Sequence, residues 1–401
     1  VPTHGLYPVQ FNWDSAFASL GYRHFAPQRA LREVELLLEA QWADGMIPHI
    51  IFRGDHDGYF PGPDVWSTGQ PIPTSGITQP PVAGSILRRL IETGVEVEAE
   101  RLGEMVRRLN SWHDWFTRAR QCEDSGAILV IHPWESGRDN LSDWDAAMAA
   151  VVPDTGLGDY RRRDLEHVDA SQRPTKEEYD RYLTIVRFGR DCDWDQAYLG
   201  KHSPFRMIDP GMTAMLLRSE RDLVWLQSRT GQDISATRSR IARLEEGWRS
   251  LWNSRVKGFT SRNIATGALT DAVSAASFLG PYAGMLDHLG ETLDHFDRIA
   301  RKVEYMIPSF DPGSEGFDPK RYWRGPVWHV INNRIGLGLA EIGELDRSER
   351  VRRDTARLTE KSGFSEYFDP LTGEGLGGKS FTWTASVYLD WACDQSAVAA
   401  A

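Results

Sequence analysis

The 401 residues are 41% hydrophobic and 26% charged, a balance that fits a soluble globular chain with a sizeable core and excludes disorder. A formal net charge of -11 opposes polyanions, so neither nucleic acid nor an acidic membrane surface is an expected partner, whereas a small neutral or mildly anionic ligand is. No apolar run approaches the roughly 20 residues that span a bilayer, and Cys122, Cys192 and Cys393 lie far apart with no CxxC pair, which argues for a reducing compartment, the cytoplasm. The start Val1-Pro2-Thr3-His4 lacks signal-peptide features, with any segment upstream left open. Homo-oligomerisation stays open too.

Helical periodicity begins at Trp13-Asp14-Ser15-Ala16-Phe17, with Gly21 near the end of that helix, and a second helix is predicted over 30–42. Residues 44–81 are rich in Gly, Pro, Asp and aromatics and read as a long irregular loop, a type that is usually functional. Helices follow over 82–93 and 99–120. An apolar run over 127–131 then leads into His132-Pro133-Trp134-Glu135-Ser136-Gly137-Arg138-Asp139-Asn140, and the chain decays into polar loop from about 152 to 172. Thr175-Lys176-Glu177-Glu178 is a capping box that starts a helix toward Arg187. Further helices are predicted over 216–228, 236–253, 274–288, 292–306, 327–342, 349–361 and 381–393, with only short β-like pieces at 127–131, 258–261 and 268–271. Serial helix pairs without a central sheet predict an all-α fold, an (α/α)6 barrel or toroid with long loops around a cleft. We read residues 1–401 as one domain, with lid loops near 44–81 and 153–174; a two-domain all-α arrangement is the alternative.

Several motifs are decoys. Gly373-Glu374-Gly375-Leu376-Gly377-Gly378-Lys379-Ser380 satisfies the phosphate-loop pattern, yet Tyr367-Phe368-Asp369-Pro370 precedes it in place of a buried strand opening an α/β unit. Asp191, Asp193 and Asp195 imitate a calcium loop, but Gln196 and His202 stand where Gly and Glu belong. The scattered His show no metal-ligand spacing, so neither a metal nor a cofactor is expected. No GxSxG and no activated Cys supports nucleophilic Ser or Cys chemistry. Fifteen Trp, many beside acids, suit a carbohydrate site, because rings stack on the C–H faces of sugars while carboxylates accept their hydroxyls. Glycoside hydrolysis needs two carboxyl groups. Glu135 and Asp139 both stand in the 132–140 stretch, and Glu366 lies among Phe364, Tyr367 and Phe368; these residues alone do not rank them.

Four ordered blocks resemble the glucosidase I family of glycoside hydrolases, and within it the bacterial mannosylglycerate and glucosylglycerate hydrolases. They are Tyr7 with Phe11-Asn12-Trp13-Asp14-Ser15, Trp134 to Asn140, Tyr322-Trp323-Arg324-Gly325-Pro326-Val327-Trp328, and Ser365 to Pro370. The resemblance covers nearly the whole chain. It implies a single (α/α)6 barrel and an inverting mechanism, with Asp139 as general acid and Glu366 as general base about 6.5–9.5 Å apart. It makes Asp14 an acceptor for sugar hydroxyls, places Tyr7, Trp13, Gln79, Trp134, Tyr322, Trp323 and Trp328 around the sugar, and assigns Arg173 and Tyr179 to glycerate, with Tyr59 closing that end. Burial beside Trp134 is expected to raise the pKa of Asp139 and Arg138 to point away from it. Ser380 stands where close relatives often carry Gln, which leaves the aglycone open, and nothing here separates glucose from mannose. The rival readings are an α-glucosidase acting on a neutral disaccharide and a non-catalytic sugar-binding protein.

Overall fold

The computed structural model describes residues 1–54, 56 and 58–393. Two kinds of helix sort themselves by burial. The helix α1 (Asn12–Tyr22) is buried at every position from Asn12 to Gly21, whereas α2 (Pro27–Glu39) buries Ala30, Leu31, Val34, Leu37 and Leu38 and leaves its opposite face in water. A stripe at that spacing suits an outer layer, and burial all round suits an inner one. The same contrast separates α7 (Pro210–Thr230) from α8 (Ser235–Arg249) and α11 (His329–Glu341) from α12 (Leu345–Ser362), while α3 (Ala83–Glu92) buries Ala83 to Leu87 and Leu90 and α4 (Ala99–Ala119) buries a stripe along its length. Between them come α5 (Lys176–Asp191), α6 (Gln196–His202), α9 (Gly280–Ala283) and α10 (Leu289–Ala300), and α13 (Thr382–Val387) closes the series.

The inner helices form a closed ring: α1 packs on α3, α3 on α7, α7 on α9, α9 on α11, α11 on α13, and α13 back on α1. Outside it, α2 packs on α1, α4 on α7, α8 on α7, and α12 on α11. This is the predicted (α/α)6-type barrel. Its apolar interior is nearly continuous, running from Val9 to Val387 in one cluster.

Short strands tie loops to one end of the ring. β1 (Gln10–Phe11) pairs antiparallel with β2 (Ile50–Ile51). β3 (Leu129–Val130), β4 (Met207–Ile208) and β5 (Arg262–Asn263) form a three-stranded antiparallel sheet in which Leu129 faces Ile208 and Met207 faces Asn263. β6 (Tyr367–Phe368) pairs with β7 (Gly375–Leu376).

The structure departs from the predicted elements in several places. The helix expected over 274–288 splits into a 3-10 turn, Ala275–Leu279, and the single turn α9, because Pro281 sits at its start and Gly284 leaves it at φ +75°. The helix expected over 292–306 ends at Ala300. The imitation calcium loop is a helix junction: Asp195 caps α6 by accepting the Tyr198 N–H at 3.0 Å, so α6 is an element missed by periodicity.

Candidate active site

The 132–140 stretch leaves β3 through a 3-10 turn, Pro133–Ser136. His132 Nδ1 accepts the Trp134 N–H at 3.1 Å, so its Nε2 carries the proton and donates to Tyr182 O at 3.1 Å. Burial lowers this imidazole to about 3, which keeps it neutral. Gly137 lies at φ +66°, and a Cβ there would stand 2.6 Å from the Trp13 ring. Only glycine lets the loop close on that indole. Of the three charged residues that follow the turn or lie in it, one reaches the cavity. Glu135 accepts from Arg120 at 2.8 Å and from the Ile131 N–H at 2.9 Å, and Arg138 is paired with Asp209, the cap of α7. Asp139 alone lines the cavity. Arg138 thus points away, as expected.

Asp139 is 8% exposed. Burial raises its pKa to about 7, with Glu366 adding to the effect and the backbone and Arg173 opposing it. Asp14, in the first turn of α1 and 6% exposed, is pushed up to about 8 by burial and then by Glu366. Burial thus brings the pKa values of the Asp139 and Asp14 carboxyls close to neutral pH, far above the ordinary carboxylate range.

Glu366 precedes β6 and is 1% exposed. It pairs with Arg173 Nη2 at 2.6 Å, accepts the Gly378 N–H at 2.8 Å, and has the Tyr7 hydroxyl at 3.5 Å. The phosphate-loop lookalike is a strap around this carboxylate. Gly377, at φ +67°, has no room for a Cβ, which would lie 2.5 Å from Glu366 Oε2, and its N–H donates to Gln172 Oε1 at 3.2 Å. The glycines serve an anion, but it is the protein's own side chain.

Aromatic rings build the remaining wall. Trp13, Tyr59, Trp134, Tyr322 and Trp323 line the cavity together with Tyr7, Asp14, Gln79, Arg173 and Tyr179. Gln79 Oε1 accepts the Trp13 N–H at 3.1 Å, fixing the start of α1. Trp328 is the exception among the expected site residues: it lies behind the wall, stacked on Trp323 at 3.8 Å and 4°, with its indole N–H on Tyr322 O at 3.2 Å. It buttresses the wall rather than forming it, since Trp323 takes the inner layer of the pair.

Arg173 also differs in its surroundings from a free carboxylate fork. Besides Glu366 it donates to the Tyr7 hydroxyl at 2.9 Å and lies over the Tyr322 ring at 4.6 Å, leaving Nε buried without a protein partner. The two expected lid loops meet here. Phe60 stacks on Tyr160 at 5.2 Å and 8°, Tyr160 stacks on Tyr179, and Arg162 lies 4.3 Å over the Tyr179 ring. His49, Phe60, Asp164, Tyr182 and Trp383 also line the cavity and escaped sequence reasoning. Trp383 had a usable signal, a Trp at the start of the final inner helix beside Phe381; the others are set by tertiary folding of loops. Residues 140–142, Asn-Leu-Ser, form a glycosylation sequon, but its Asn140 is buried, with the side-chain amide donating to Glu178 Oε1 at 3.0 Å. Among the described residues no group of His, Cys, Asp and Glu could hold a metal ion.

Comparison with known proteins places this geometry. Residues 7–384 match the mannosylglycerate hydrolase MGH1-like glycoside hydrolase domain. The chain is 42% identical over 400 residues to mannosylglycerate hydrolase MGH1 of Selaginella moellendorffii, covering 98% of this chain and 81% of that protein. It is 34% identical to the glucosylglycerate hydrolase of Mycolicibacterium hassiacum, covering 96% and 92%. The crystal structure of a GH63 mannosylglycerate hydrolase from Thermus thermophilus in complex with Tris and D-glycerate superposes with a TM-score of 0.93 at 39% identity, over 98% of this chain and 95% of that one. With its helical toroid and acid-lined aromatic cavity, the chain belongs to the MGH1-like family of glycoside hydrolases.

Proposed function

We propose that the protein hydrolyses the α-glycosidic bond of a small glycosylglycerate, glucosylglycerate or mannosylglycerate, with inversion, releasing hexose and glycerate. The observation that carries this reading is the asymmetry of two carboxyl groups in one cavity. Asp139 is held toward its protonated form by burial, while Glu366 faces a guanidinium and a backbone N–H. Asp139 donates its proton to the glycosidic oxygen; Glu366 takes one from the water that attacks the anomeric carbon from the opposite face. Asp14 and the Trp13, Trp134 and Trp323 rings hold the sugar. Arg173 and Tyr179 face the aglycone, with Tyr59 and the two loops covering it. The relatives named for mannosylglycerate and glucosylglycerate support the aglycone class and leave the hexose undivided between them. The four motif blocks also favour the wider glucosidase I grouping.

The α-glucosidase reading, with a neutral disaccharide as substrate, draws on one observation: Arg173 already has an anionic partner in Glu366. Removing Arg173 does not separate the readings, because it would disturb Glu366 with any substrate. A substrate panel on the unaltered enzyme does. Hexose release from glucosylglycerate or mannosylglycerate at a kcat/KM at least tenfold above that for trehalose and isomaltose is expected. Preference for a neutral disaccharide would overturn the assignment, and no release with sugar bound would favour a binding protein.

A further inference from the structure

Asn140, the residue after the candidate acid, is held from every side. It sits at φ +65°, a left-handed conformation that asparagine tolerates better than most residues. Its Nδ2 donates to Glu178 Oε1 at 3.0 Å, and its Oδ1 accepts from Arg324 Nε at 3.2 Å. One face of α5 supplies two of the contacts: Glu178 takes the side chain, and four residues on, the Tyr182 hydroxyl faces the Asn140 backbone.

The partners are themselves tied to the rest of the cavity. Glu178 closes the capping box by accepting the Thr175 N–H at 2.6 Å, two residues after Arg173, and pairs with Arg321 Nη2 at 2.6 Å. Arg324 reaches Asp145 Oδ2 at 2.8 Å and flanks Trp323 of the sugar wall. Glu178 therefore touches the acid loop, the start of the aglycone-side helix and the Arg321–Arg324 segment at once. A surface salt bridge adds little on its own. A half-buried carboxylate shared by three segments fixes their relative position.

We infer that Asn140, clamped between Glu178 and Arg324, is a positioning residue that aims Asp139 at the glycosidic oxygen and keeps the acid loop in register with the aglycone wall. This rests on Asp139 being the acid. A misplaced acid penalises substrates in proportion to their need for a proton on the leaving group, a signature that general loosening of the fold lacks.

The test compares two substrates. Glucosylglycerate or mannosylglycerate, whichever is turned over faster, has a leaving group that must be protonated; the matching α-glycosyl fluoride has one that departs with little help. Asn140→Gly removes the clamp without straining the positive φ, and Glu178→Leu removes the acceptor while keeping the Thr175 side-chain cap. Both variants are expected to lose roughly 10–100-fold in kcat on the glycosylglycerate and less than about threefold on the fluoride. Equal losses on both substrates, or none on either, would overturn the inference. Asp139→Asn is the control: if it loses both substrates equally, the acid assignment fails and the clamp falls with it, whereas a split in Asp139→Asn alone refutes only the clamp.

Discussion

Asp139 and Glu366 share a cavity but not a set of neighbours, and the chemistry proposed for them follows from that difference. Because burial raises Asp139 to about 7, the proton needed at the leaving oxygen is present below that pH and lost above it. The rate of hydrolysis is expected to decline as pH rises through about 7, and a kcat profile that stays flat to pH 9 would contradict the acid role. The same burial links function to stability. In the folded chain Asp14 and Asp139 titrate at about 8 and about 7, against about 3.9 when unfolded. Between those limits the folded state binds more protons than the unfolded state, so stability is full below the unfolded value and falls as pH climbs through 7 and 8. The melting temperature should drop from about pH 5 to about pH 8.5, and the Asp14→Asn/Asp139→Asn double variant should flatten that drop; calorimetry at the two pH values checks it. Arg173→Ala leaves Glu366 buried with its charge partner gone, a loss on the order of 3–5 kcal/mol for such pairs. Activity should fall for every glycoside tested, not only for those carrying a carboxylate.

At the scale of elements, the strap over 373–380 is the most informative piece. Its glycines satisfy a nucleotide-binding pattern, but the hairpin β6–β7 bends them back onto Glu366. Gly377→Ala places a methyl group 2.5 Å from Glu366 Oε2; kcat should fall by roughly 10²-fold with an unchanged far-UV spectrum, and full activity would show that the strap does not hold the carboxylate. The strap also shows where sequence reasoning stops. Periodicity is legible where a helix spends a full stripe on burial, as in α2 and α12, and the capping box at Thr175 is legible because its two hydrogen bonds are local. It fails at α9, where Pro281 and Gly284 cut the helix to a turn. It also cannot tell Trp323 from Trp328, five residues apart, since one layer of stacking decides which meets the cavity. A buried strand, Tyr367–Phe368, does precede the strap, contrary to expectation, but it pairs antiparallel with Gly375–Leu376 inside the strap instead of opening an α/β unit; finding the strap's partner needed residue 366 brought beside 378.

For the whole molecule, the closed inner ring explains why motifs scattered from Tyr7 to Trp383 meet in one cavity. The inner helices α1, α11 and α13 begin at that end, and the loops before them carry the aromatic walls. Ring closure between α1 and α13 brings the start of the last inner helix beside residue 2, with Thr382 N donating to Pro2 O at 2.9 Å. We propose that the chain is one folding unit, because its core cluster has no break between the first and last inner helices. A single denaturant transition, coincident by tryptophan fluorescence and circular dichroism, is expected; two separated transitions would point to two domains. Asp139 and Glu366 are proposed to work on opposite faces of the sugar, which fixes the anomer first released. Proton NMR of the hexose at the first moments of hydrolysis of an α-glycosylglycerate should show the β-anomer appearing before mutarotation. The α-anomer appearing first would contradict the opposed roles of Asp139 and Glu366.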